Sequence, residues 1–133
     1  MVGIIVMTHG LLGEGAVDAA RLITGPVEQV ETLSLRREDN ADDLNAAFLA
    51  ALERVDAGEG VLVLADLLGG SPCNVASMNL REKSYQLLSG VNLPMLIEAL
   101  SSRESVGSPE ELASLCAEAA TQGVKNINQL LGR

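Results

Sequence analysis

The chain carries one imidazole, His9, at the end of the apolar run Gly3-Ile4-Ile5-Val6-Met7-Thr8 and just before Gly10. A second loaded segment follows another apolar run, where Val61-Leu62-Val63-Leu64-Ala65 gives way to Asp66-Leu67-Leu68-Gly69-Gly70-Ser71-Pro72. Imidazole changes charge near neutral pH, attacks as a neutral nucleophile and is oriented by a carboxylate on one of its nitrogens. Glycines allow backbone amides to approach an anion, and helix starts add partial positive charge, here near Gly13-Glu14-Gly15 and Ser71-Pro72. Together these residues suit a histidine that takes up a phosphoryl group. His9 is the nucleophile, Asp66 orients it, and Thr8, Gly10, Gly69, Gly70 and Ser71 hold the phosphoryl oxygens. Such transfer depends on positioning and electrostatics, so this reading calls for no metal and no cofactor.

Each of these residues also has a plainer role. A lone histidine can serve the core, Asp66 could cap its own turn, and Gly69 to Ser71 could simply start the next helix. Met7 and Asn74 read as structural, and Leu11-Leu12 fits partner surface or core equally well. Arg36-Arg37-Glu38-Asp39 reads as a solvated loop whose arginines could also lie near a phosphoryl oxygen.

The elements that must position His9 and Asp66 follow from periodicity. Both apolar runs are continuous, as in strands buried on two faces. Ala16 to Ile23 has helical spacing ended by Thr24-Gly25-Pro26, and Gln29 to Leu35 reads as a short strand. Asn40 starts a helix through Val55, and Ser71 with Pro72 forms a cap and first turn for Asn74 to Arg81. Tyr85 to Val91 reads as a fourth strand, Leu93 to about Leu100 as a helix, and Ser108-Pro109-Glu110-Glu111 as a capping box before Leu112 to Thr121. The tail from Gly123 to Arg133 reads either as a last, antiparallel strand or as a frayed end. This alternation predicts one α/β domain over residues 1–133, an open, mainly parallel, doubly wound sheet of four strands with helices on both faces. Parallel pairing then brings His9 and Asp66 to the same sheet edge, and if their strands are neighbours Asp66 can reach one ring nitrogen.

Composition narrows the function classes. Hydrophobic residues make up 47% of 133 residues, with one Phe, one Tyr and no Trp, so aliphatic side chains build the core. Nine basic against eighteen acidic residues give a net charge of −9, which with the scarcity of aromatics argues against a nucleic-acid partner. Cys73 and Cys116 show no ligand spacing and read as buried thiols in a reducing compartment. The sequence predicts neither a signal peptide nor a membrane span, and hence a soluble cytoplasmic protein.

Residues 3–10 with the following Leu-Leu-Gly-Glu-Gly, and the segment Val61 to Asn74, resemble the two signatures of the mannose-family IIA components of the bacterial sugar phosphotransferase system. The resemblance spans nearly the whole chain. It implies that His9 accepts a phosphoryl group on Nε2 from the phosphocarrier HPr while Asp66 holds Nδ1, and that the group passes to a histidine of a IIB partner. It further implies a homodimer, often with an exchanged carboxyl-terminal strand. The length of the chain leaves no room for a fused IIB domain, so the IIB partner is expected as a separate polypeptide. The sugar stays open, because the membrane components IIC and IID select it. Three other functions fit less well. A phosphotransferase subunit feeding a dihydroxyacetone kinase shares the histidine, and a non-enzymatic, phosphorylation-dependent regulatory module would also use it. A hydrolase is disfavoured because Gly-Gly-Ser-Pro lacks the Gly-x-Ser-x-Gly elbow.

Overall fold

A computed structural model describes residues 1–133. Four strands, β1 (Gly3–His9), β2 (Val30–Leu35), β3 (Val61–Ala65) and β4 (Gln86–Leu88), form one sheet in the order β2-β1-β3-β4. All three pairings are parallel, with His9 opposite Leu35 and Met7 opposite Ala65. The helices are α1 (Leu12–Thr24), α2 (Ala41–Val55), α3 (Ser71–Asn79), α4 (Leu93–Ser102), α5 (Pro109–Gln122) and α6 (Ile127–Leu130).

The two-residue period of β1 and β3 divides the core into two layers. Ile4, Val6, Leu62 and Leu64 pack with α1, α4 and α5 through Val17, Ala20, Leu96, Ala99 and Leu112. Ile5, Met7, Val63 and Ala65 face the other way, against Phe48 and Ala51 of α2 and Val75 and Ala76 of α3. Both central strands therefore lack polar residues until their carboxyl ends, which is why each reads as an unbroken apolar run. After β1 the chain turns to one side for β2, and β3 returns to the other side. The crevice between β1 and β3 at their carboxyl ends is the topological switch point, the usual ligand position in open α/β sheets.

Several elements differ from the sequence expectation. The helix expected from Ala16 starts at Leu12, because the Thr8 hydroxyl accepts the Gly13 N–H at 2.9 Å and supplies the cap that Leu11 lacks. The strand expected over Tyr85 to Val91 pairs only through Gln86–Leu88. The tail forms no strand in this chain. Asn126 accepts a hydrogen bond from Gln129 N–H and begins the short helix α6, whose apolar residues stay exposed.

Tyr85 closes the second layer. Its ring meets Phe48 edge to face at 5.4 Å, and its hydroxyl donates to the Ala76 carbonyl near the end of α3. Burial pushes the phenol up to about 12. Because the unfolded phenol ionises near 10, folding stability falls as pH rises above about 10. As Tyr85 is the only tyrosine, phenolate absorbance reports it alone. The native protein should show a midpoint near 12, and a midpoint near 10 without unfolding would contradict this packing.

Candidate phosphoryl-transfer site

His9 is the last residue of β1, and Asp66 immediately follows β3. Their separation in sequence vanishes because the two strands are hydrogen-bonded neighbours. Asp66 Oδ2 accepts the His9 backbone N–H and also lies 2.9 Å from His9 Nδ1. A carboxylate can only accept, so Nδ1 carries the proton, and in the neutral ring Nε2 keeps its lone pair. Asp66 Oδ1 is enclosed without a hydrogen-bond partner in the protein, so the bonds from His9 to Oδ2 dominate this side chain. Burial works against the Asp66 carboxylate. The bonds donated by the His9 backbone and ring, with the attraction of that ring, outweigh it and hold the carboxyl below its ordinary value.

The His9 side chain is 47% exposed against 11% for Asp66, so a largely covered acid orients a ring that reaches solvent. Gly70 lies against the other edge of that ring. A Cβ on Gly70 would stand 2.7 Å from His9 Cε1 and 3.4 Å from Nε2. Gly70 belongs to a tight turn in which its N–H donates to the Leu67 carbonyl at 3.0 Å, with Gly69 at φ +87. That dihedral is open to glycine at little cost and strained for other residues.

In α3 the N-cap is Gly70 rather than Ser71, correcting the sequence expectation. The chain is still extended at Gly70 (φ −76, ψ 162), and the Gly70 carbonyl accepts the Asn74 N–H, so Ser71 is already inside the first turn. Ser71 is exposed and its hydroxyl makes no hydrogen bond within the protein. With Pro72 lacking an N–H, the first-turn amides of Ser71 and Cys73 have no intrahelical acceptor. Gly10 continues from His9 in a turn, its N–H donating to the Leu35 carbonyl at 2.8 Å.

Thr8 behaves differently from its companions. It is fully buried and faces the opposite side of β1 from His9, touching the site only through its bond to Gly13 at the start of α1. The side chains of Arg36 and Arg37 form neither an ion pair nor a hydrogen bond, and the loop is held instead by the Arg36 backbone N–H on Asp39. The structure adds residues that the sequence reading had not used for the site. Asn74 reaches back to the Gly69 carbonyl at 3.1 Å, and Leu67 and Leu68 join Leu11 and Leu12 as exposed apolar residues of the two turns beside His9. No helix is long and apolar enough to cross a membrane.

Comparison with known proteins agrees with this architecture. Residues 3–116 match the family model described as the PTS system fructose IIA component. The PTS system mannose-specific EIIAB component of Escherichia coli (strain K12) is 37% identical over 127 residues, 95% of this chain and 39% of that protein. The chain thus spans about two fifths of the length of that relative. The PTS system fructose-specific EIIA component of Bacillus subtilis (strain 168) is 28% identical, covering 88% of this chain and 81% of that one. Among solved structures, the phosphotransferase system component EIIA from Streptococcus agalactiae superimposes with a TM-score of 0.88 at 29% identity, over 97% of this chain and 99% of that one. A PTS IIA protein associated with the fucose utilization operon of Streptococcus pneumoniae gives 0.85 at 33% identity, over 98% and 99% of the two chains. With the family model covering most of the chain and both signatures meeting at one sheet edge, the protein belongs to the mannose/fructose-type IIA components of the phosphotransferase system.

Proposed function

We propose that this protein is a phosphoryl carrier of sugar uptake, taking a phosphoryl group from phospho-HPr onto His9 Nε2 and delivering it to a IIB component in the cytoplasm. The observation that carries the reading is the 2.9 Å contact of Nδ1 with Asp66 Oδ2, which leaves an exposed Nε2 lone pair at the switch point. In the transfer, that lone pair forms a bond to phosphorus while the nitrogen–phosphorus bond of the donor breaks. The released electron pair returns to the donor's ring nitrogen. His9 keeps its Nδ1 proton on Asp66, and the carboxylate offsets the positive charge that develops on the ring. The free amides at the start of α3 and the Ser71 hydroxyl receive the phosphoryl oxygens, while Gly10, Gly69 and Gly70 shape the turns around them, the N–H groups of Gly10 and Gly70 being taken by the Leu35 and Leu67 carbonyls. Thr8 contributes by fixing the start of α1. Handing on to IIB is the same step in reverse.

Leu11 and Leu12 from one turn and Leu67 and Leu68 from the other are 54–79% exposed, an apolar rim against which both partners would exclude water from the reacting atoms. The reading includes a homodimer. The outer edge of β4 has no strand beside it, and Val124, Ile127, Leu130 and Leu131 are exposed apolar residues of the tail.

Labelled phosphoenolpyruvate with enzyme I and HPr should place one acid-labile phosphoryl group per chain, and adding a IIB protein should drain it. His9→Ala should take up none. Absence of label on the native chain, label persisting in His9→Ala, or drainage to a dihydroxyacetone kinase subunit in place of IIB would each overturn the assignment.

A further inference from the structure

The Asn74 amide spans the one turn that walls the reactive ring. Its Nδ2 donates to the Gly69 carbonyl at 3.1 Å, while its backbone N–H donates to the Gly70 carbonyl at 2.9 Å. The turn itself has a single internal hydrogen bond, from Gly70 N–H to the Leu67 carbonyl. Two consecutive glycines are the most permissive pair a chain can place in a turn, and peptide reorientation between them meets little steric resistance. Yet Gly70 stands so close to His9 that an added methyl would press on Cε1. Any movement of Gly70 toward the ring would therefore press on it. Asp66 holds the Nδ1 edge and Gly70 borders the Cε1 edge, and only the second neighbour rests on a backbone that needs fixing from outside.

We infer that Asn74 is a positioning residue for phosphoryl transfer, acting through the Gly69–Gly70 turn to hold the His9 ring on Asp66 with Nε2 free. The inference rests on the assignment of His9 as the phosphoryl carrier. Asn74 is exposed at the first turn of α3, so its side chain contributes little to the core, and its removal should leave the fold intact. Loss of the donor frees the Gly69 carbonyl to turn away, and the ring then samples orientations in which Nε2 no longer faces the helix start.

Because His9 is the only histidine, its two ring nitrogens give an unobstructed ¹⁵N spectrum, and this spectrum does not depend on any phosphorylation. Asn74→Ala and Asn74→Asp should both move the population of the Nδ1–H tautomer away from the native value and slow transfer from phospho-HPr about tenfold. The aspartate keeps the shape but presents an acceptor to the Gly69 carbonyl. Ser77→Ala removes a different side-chain bond of the same helix, from its hydroxyl to the Cys73 carbonyl at 2.8 Å, and should change neither readout. Unchanged His9 signals in both Asn74 variants, or an equal change in Ser77→Ala, would overturn the inference. If the native chain takes up no phosphoryl group, the carrier assignment fails by itself, while the His9 spectra still decide whether Asn74 positions the ring.

Discussion

Asp66→Asn should fold normally and transfer phosphoryl groups about a hundredfold more slowly than the native protein. One oxygen, Oδ2, receives both the backbone N–H and the ring N–H of His9, so an asparagine must keep its carbonyl oxygen at that place. The tautomer survives and only the charge is lost. A hydrogen bond to a charged group contributes about 1.5–3 kcal/mol, and each 1.4 kcal/mol of transition-state stabilisation is about tenfold in rate. Asp66→Ala should be slower still, since ring orientation is lost as well. Stopped-flow transfer from phospho-HPr measures both variants, and native rates in either would reduce Asp66 to a turn residue.

The same pair sets a pH dependence of stability. The Asp66 carboxyl titrates below its ordinary value in the folded protein, so its stabilising contribution is complete above about pH 4 and is lost as pH falls through the lower folded value. The stability difference between native protein and Asp66→Asn, measured by urea unfolding, should therefore be widest near neutrality and close on acidification. A difference that stays constant down to pH 2.5 would contradict the hydrogen-bonded carboxylate.

Gly70→Ala tests the opposite edge of the ring and should cost transfer more than stability. Backbone dihedrals at Gly70 suit any residue, so alanine introduces no conformational strain. The methyl instead meets His9 Cε1 at 2.7 Å and the Leu67 carbonyl at 3.3 Å. The exposed ring is the part that yields, and a displacement of about 1 Å in a reacting group costs about a hundredfold in rate. Thermal unfolding should shift by only a few degrees, corresponding to about 1 kcal/mol or less. A variant that transfers at the native rate would show that Gly70 does not define the reactive pose. A variant that unfolds would show that the turn is structural first.

Much of this site is legible in the sequence because parallel strands carry positional information to their ends. Unbroken apolar runs mark β1 and β3 as two-face-buried strands, and the residue after each run must then emerge at the same edge. That logic puts His9 and Asp66 at one sheet edge, and the adjacency of β1 and β3 in the sheet order then brings them into contact. It fails for Thr8, where strand alternation turns the side chain inward and gives its hydroxyl to the start of α1. It also fails for Asn74, whose contact depends on Gly69 adopting φ +87, a torsion that no spacing rule specifies. The start of α1 was obscured because its cap comes from a strand residue and Leu11 supplies none. In the tail, Ile127, Leu130 and Leu131 have helical spacing, but four residues are too few for that period to stand out.

The central claim is that Nε2 of His9 carries the phosphoryl group while Nδ1 stays bound to Asp66. Two-dimensional ¹⁵N–³¹P NMR of the protein phosphorylated through HPr tests it directly, as a single histidine leaves no ambiguity of assignment. The structure predicts one phosphorus signal coupled to Nε2, with Nδ1 retaining its proton. Coupling to Nδ1, or phosphorus on any residue other than His9, would contradict it.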